Sequence, residues 1–210
     1  MDSYSKLIKG NEEWVNSQLA LDADYFKNLA TGQQPEFLWI GCADSRVPAN
    51  EITNTHSGDI FVHRNIANQV VHTDNNMLSV LQYAVEYLHV KHIIVCGHQG
   101  CGGVKAAMDN KHVGLVGKWL TGIKEVYQKY EEELNAISDP EQKENRLVEL
   151  NVIEQVNNLA KTSIVQKAWM DRELQIHGWV YSLGSGKIID LDCKFSGANQ
   201  LDPIFRLTGL

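Results

Sequence analysis

His92-Ile93-Ile94-Val95-Cys96-Gly97-His98-Gln99-Gly100-Cys101-Gly102-Gly103 is the stretch on which the fold turns. Ile93 to Cys96 form an apolar, β-branched run of the kind that makes a short buried strand. The glycine-rich segment after it predicts a turn carrying a His and a Cys three positions apart. A second apolar run, Phe37-Leu38-Trp39-Ile40-Gly41, ends in Cys42-Ala43-Asp44-Ser45-Arg46. Two strand ends thus present four candidate ligands: Cys42, Asp44, His98 and Cys101.

Outward from these runs, Ser3 to about Thr31 carries Leu7, Ile8, Trp14, Leu19, Tyr25 and Phe26 at helical spacing, an arm that packs on the domain or on another subunit. Gly32 to Pro35 stops it. Gly58 to Asn65 reads as a second strand, and Asp74 to Val90 as a helix capped by Asp74 or a neighbouring Asn. Val113 to about Gln166 is helical, broken near Pro140, and Ser163 to Gln175 is a last helix. Ile176 to Leu183 and Ile188 to Asp192 flank the tight turn Gly184-Ser185-Gly186-Lys187, so the sheet closes in a hairpin. The alternation predicts an α/β fold: a mainly parallel core of four strands plus one C-terminal antiparallel strand, flanked by helices. Ligands of such sheets bind beyond the carboxyl ends of the strands, where all four candidates lie.

At 210 residues and 43% hydrophobic, the chain is sized for one domain, residues 1–210, with 1–31 as its helical arm. A net charge of −7 argues against a nucleic-acid partner. No run approaches the roughly 20 apolar residues of a membrane span, and the N-terminus lacks a signal core, so a cytoplasmic location without a membrane partner is expected. Four cysteines in a chain this long are too few for a disulfide scaffold and stay available as thiols; Cys96 and Cys193 read as plain strand residues.

Alternate residues of an extended segment point the same way, so Cys42 and Asp44 can face one centre, and the short Gln99-Gly100 turn can aim His98 and Cys101 together. Gly102 and Gly103 permit close backbone approach. Thiolates, an imidazole and a carboxylate suit tetrahedral zinc, with the carboxylate as the exchangeable ligand of a catalytic site. Taken singly, each Cys is as well explained as a small buried hydrophobe.

Together, Cys42-Ala43-Asp44-Ser45-Arg46, Arg64-Asn65-Ile66-Ala67-Asn68 and Gly97-His98-Gln99-Gly100-Cys101-Gly102-Gly103 resemble the three signature segments of β-class carbonic anhydrases. The resemblance spans at least Gln33 to Ala107. It implies zinc held by Cys42, His98 and Cys101, zinc-hydroxide attack on carbon dioxide to give bicarbonate and a proton, and assembly as a homodimer or homotetramer. It further implies that Arg46 pairs with Asp44 to hold it off the metal, and that Gln33 and the Gly102 N–H position the substrate oxygens. Two thiolates cancel the metal charge, so activity is expected to rise toward alkaline pH. Trp39, Arg64 and Tyr181 stand where the type II subset binds an allosteric bicarbonate that favours Asp44 on zinc. The alternatives are a non-catalytic zinc-stabilised protein, a zinc hydrolase of a related substrate, and a thiol redox protein, although no C-x-x-C pair is present.

Overall fold

The structure, a computed structural model, describes residues 1–109 and 111–210. Chain contacts divide them into two compact units, Met1–Gln34 and Pro35–Leu210. In the first, α1 (Ser3–Leu21) starts on Asp2, whose carboxylate accepts from the Ser5 N–H at 3.0 Å and satisfies one of the free donors of the first turn. Trp14 meets Tyr25 and Phe26 of α2 (Tyr25–Leu29) edge-on, with ring centroids 6.3 and 5.4 Å away. No residue of α1 is buried, and Tyr4, Leu7 and Leu21 stand in solvent. Gln33 belongs to this unit.

The second unit is built on a five-stranded sheet in the order β2-β1-β3-β4-β5. Its strands are β1 (Phe37–Cys42), β2 (Ile60–Asn65), β3 (His92–His98), β4 (Gln175–Ser182) and β5 (Lys187–Phe195). The first four in chain order pair in parallel, and β5 pairs antiparallel to β4, as the alternation of patterns implied. The connecting helices are α3 (Ala49–Thr53), α4 (Asn75–Gln82), α5 (Gly102–Met108), α6 (Leu115–Trp119), α7 (Thr121–Lys129), α8 (Glu131–Ala136), α9 (Pro140–Ala160) and α10 (Ser163–Asp171).

Alternation divides β1 cleanly. Leu38, Ile40 and Cys42 enter the main core with Leu81 of α4, Ile123 of α7 and Leu147, Val152 and Val156 of α9. Trp39 faces the other way, into a smaller cluster with Ile94, Cys96, Trp179 and Ala49 and Ile52 of α3.

Two boundaries differ from the sequence reading for identifiable reasons. The helix capped by Asp74 passes from α4 into a wider π turn over Tyr83–Tyr87 before His89 turns left-handed (φ 53°). The last helix stops at Asp171 because Arg172 goes extended (φ −159°) and its guanidinium donates to the Val85 and Val90 carbonyls, tying down the end of that π turn.

Gly178 shows how tightly β4 lies under α9. A Cβ there would sit 2.3 Å from Cys193 Sγ and 3.0 Å from Val152 Cγ1, opposite the irregularity where β5 shifts register between His177 and Trp179. Gly178→Ala is expected to destabilise the fold by about 1–3 kcal/mol, the cost of overpacking a filled core. A urea unfolding midpoint equal to that of the parent protein would show that the β5 bulge can yield.

Candidate metal centre

Three segments meet beyond the carboxyl ends of β1, β2 and β3. The parallel register sets Gly41 beside both Arg64 and Cys96, so Cys42 and His98 leave the sheet at the same edge. After His98 the chain turns through Gly100, whose φ of +64° is cheap only for glycine, and Cys101 becomes the residue from which α5 starts. The Gly103 and Val104 N–H groups of that first turn favour the charged form of its sulfur, against burial and the neighbouring Cys42. Of the paired glycines, Gly103 bears the steric demand: a Cβ there would lie 3.0 Å from Ile66 Cγ2 and 3.2 Å from Ala67 Cβ, whereas Gly102 faces open space.

Cys42, His98 and Cys101 converge, with one ligand atom from each lying within 4.8 Å of the others. The two sulfurs are 3.9 Å apart, and all three residues are buried. His98 Nδ1 lies 3.0 Å from the Gln99 carbonyl, so the ring proton is assigned there and Nε2 is left with its lone pair. Nε2 is buried and, among the described residues, has no hydrogen-bond partner. An unsatisfied acceptor of this kind costs about 1–3 kcal/mol unless something fills the role.

The electrostatics suit a cation. Cys42 is held far below the usual thiol range, first by the hydrogen bond from Cys101 and then by His98 and the N–H groups of Asp44 and Ala67, against the cost of burial. Cys101 is pushed up by the same sulfur pair and by burial. Burial presses His98 down, and the adjacent Cys42 sulfur, with Asp44, lifts it by more. Two sulfurs and one imidazole are the donor set of zinc and fit no hard cation.

Asp44 stands at the rim of this group. Its Oδ1 accepts from Arg46 N–H (3.0 Å) and Nε (2.9 Å), and Oδ2 accepts from Nη2 (2.7 Å), a bidentate pair. Those bonds to Arg46, opposed by some burial, hold the carboxyl well below the usual carboxylate range. Oδ2 remains 3.7 Å from His98 Nε2. The expected pairing of Asp44 with Arg46 is therefore present, with the carboxylate adjacent to the three-residue group.

Arg64 was read as one wall of a second anion pocket. Its Nε donates to the Cys42 carbonyl at 2.9 Å and its Nη2 to the Asp44 carbonyl, bracing the loop from behind. Trp39, Arg64 and Tyr181 occupy positions that the strand register assigns to one face of the sheet. Trp39 is 1% exposed and packs edge-on to Trp179, with ring centroids 6.2 Å apart; a Cβ on Gly41 would overlap its indole. Cys96 and Cys193 behave as strand residues, burial pushing their thiols up to about 12 and about 11. Sequence reasoning missed the polar residues behind the loop, Asn151 and Gln155 of α9, whose bonds to the Ala67 carbonyl (3.1 Å) and the Val70 N–H (2.8 Å) have no motif to announce them.

The family model described as carbonic anhydrase matches residues 37–188. A carbonic anhydrase of Emericella nidulans is 47% identical over 208 residues, covering 98% of this chain and 91% of that protein. A tetrameric β-carbonic anhydrase of Sordaria macrospora superposes with a TM-score of 0.91 at 38% identity, covering 93% of this chain and all of the other. A Coccomyxa β-carbonic anhydrase solved with acetazolamide gives 0.90 at 38% identity, over 94% and 90% of the two chains. With the sulfur–imidazole–sulfur geometry and a matching fold on either side of it, the chain belongs to the β-class carbonic anhydrases.

Proposed function

We propose that the protein catalyses the reversible hydration of carbon dioxide to bicarbonate and a proton, with zinc held by Cys42, His98 and Cys101. The observation that carries this reading is the buried, unpartnered His98 Nε2 grouped with two thiols. When bound, zinc supplies a Lewis acid that lowers the pKa of water toward neutrality. The protein's part is positioning. Arg46 would keep Asp44 ionised and off the metal, with a second lone pair on Oδ2 available to accept a hydrogen bond from the reacting water. By the family resemblance the Gly102 N–H, at the start of α5, would position the substrate oxygens, a role the same resemblance extends to Gln33. A disulfide-exchange role would leave the imidazole unexplained.

The regulatory reading is part of the same proposal. Arg64 bonds the carbonyls on both sides of Ala43, so an anion that drew its guanidinium away would loosen the segment that orients Asp44. Bicarbonate between Arg64, Trp39 and Tyr181 would then favour Asp44 on the metal, a population shift set by its preference for that state. We also infer a homodimer or homotetramer. The unburied Tyr4, Leu7 and Leu21 of α1 and the tetrameric Sordaria relative support it. Four free thiols accord with a cytoplasmic location, and no helix of the described residues is long and apolar enough to cross a membrane.

Stopped-flow measurement on zinc-replete protein at alkaline pH should show hydration well above the buffer rate; a buffer-level rate would leave zinc a structural role only. Arg46→Ala should lower kcat/KM by about a hundredfold, the cost of a misplaced catalytic group, with one zinc per chain retained. Full activity in that variant would remove the ion pair from the mechanism. Added bicarbonate should slow the enzyme beyond simple product inhibition, and Tyr181→Phe should abolish the excess while leaving the fold intact; an unchanged excess would place the regulatory anion elsewhere. Sedimentation at micromolar concentration should give dimers or larger species, and a clean monomer would withdraw the arm's role in assembly.

A further inference from the structure

The loop Ile66–Asn68 joins β2 to the region behind the centre with two consecutive non-glycine residues in the left-handed region, Ala67 (φ 61°) and Asn68 (φ 46°), both buried. Such residues cost about 1–3 kcal/mol each and persist only where the surroundings over-determine them. Here they are over-determined. Asn65 clamps the far side of the turn, its Oδ1 accepting from the Gln69 N–H at 2.8 Å and its Nδ2 donating to the Gln69 carbonyl at 2.7 Å. Trp119 Nε1 donates to the Ile66 carbonyl at 2.8 Å.

The remaining supports come from one face of α9. Asn151, 1% exposed, donates Nδ2 to the Ala67 carbonyl at 3.1 Å. Gln155, 3% exposed, donates Nε2 to Asn151 Oδ1 at 2.9 Å and accepts the Val70 N–H at 2.8 Å. Asn158 completes the row with a 3.3 Å bond to the Val70 carbonyl. Positions 151, 155 and 158 are spaced to share a helix face that is otherwise apolar, with Leu147, Val148 and Val152 in the same core. Three amides in such a place need a reason, because burying them without partners is costly and filling the space with leucine would be easier.

The reason lies on the other side of the turn. The Ile66–Asn68 turn packs against β1, the strand that ends in Cys42, and Ala67 Cβ lies against the first turn of α5, where Gly103 leaves room for it. One short turn thus packs against both cysteine-bearing segments. We propose that Asn151, supported by Gln155, is a positioning residue for the metal centre, holding the left-handed turn that packs against the strand ending in Cys42 and seats Ala67 against the Cys101 segment. The inference rests on the zinc reading above. It extends the site to a helix that supplies none of the three grouped ligands, an outer support of the kind whose loss weakens metal binding without touching a ligand.

The test is zinc affinity by chelator competition on folded protein, together with the thiolate-to-metal charge-transfer band of the cobalt-substituted form. Asn151→Ala should weaken zinc about 10–100-fold and shift that band. Gln155→Ala should do the same to a smaller degree, and it carries the test if Asn151→Ala fails to fold. Gln166→Ala is the control: its buried amide bonds the Ala160 and Phe205 carbonyls and has no bond to the loop, so it should lower the melting temperature and leave affinity and spectrum unchanged. A folded Asn151→Ala or Gln155→Ala protein with parental affinity and spectrum overturns the proposal, as does a Gln166→Ala protein that weakens zinc equally. Parental protein that takes up no zinc would fail the zinc reading itself, and the proposal with it.

Discussion

The register of β1 against β3 sends two chains out of the sheet side by side, Gly41 next to Cys96, and everything at the centre follows from that adjacency. Parallel strands need a crossover between them, so residues 59 apart in sequence can bring sulfurs to 3.9 Å only if a whole strand–helix excursion returns in phase. A slip of one residue would turn Leu38, Ile40 and Cys42 to the opposite face and exchange the core for the tryptophan cluster. Placement of the grouped donors and burial of the core are thus enforced by the same constraint.

Around that point the charges are arranged so that each has one partner. Arg46 takes the Asp44 carboxylate, Arg64 takes the backbone of the same segment, and the Cys42 and Cys101 sulfurs face each other at 3.9 Å. The imidazole nitrogen of His98 is the group left over among them. A buried polar atom without a partner is the exception in folded proteins, and its position beside two sulfurs makes the donor set a better guide to function than any cavity. A cleft of about 700 Å³ lined by Ile66, Thr73, Leu115 and Trp119 does not include the cysteines.

How legible this was depends on what each residue needed from the chain. The strands carrying Phe37–Cys42 and His92–His98 could be read because an apolar run and a glycine turn are local signals, and the ligands sit at their ends. The pairing of Asp44 with Arg46 is likewise local, two positions apart. The π turn after Gln82 and the early stop at Asp171 were hidden because both depend on Arg172 reaching carbonyls more than 80 residues away. Asn151 and Gln155 were hidden for the same reason: within α9 they look like routine polar residues, and only their bonds to Ala67 and Val70 give them meaning. Long-range polar contacts leave no period in a sequence.

The two arginines make the Cys42–Arg46 segment more than a static ligand loop. Arg46 grips Asp44 through its side chain from one direction, and Arg64 grips the Asp44 carbonyl from another, so side chain and backbone of one residue are held by separate cations. The distance from Asp44 Oδ2 to His98 Nε2 is 3.7 Å, so the carboxylate already lies beside the three grouped donors. A switch needs two arrangements close in energy and a ligand that prefers one of them. In the proposed switch the first arrangement would be the bidentate Arg46 pair, the second would be coordination to the metal, and Arg64 would be the element through which an anion favoured one over the other. Because Arg64 touches only backbone on the side of Asp44, an anion drawing on it would change the orientation of the carboxylate before it changed its charge.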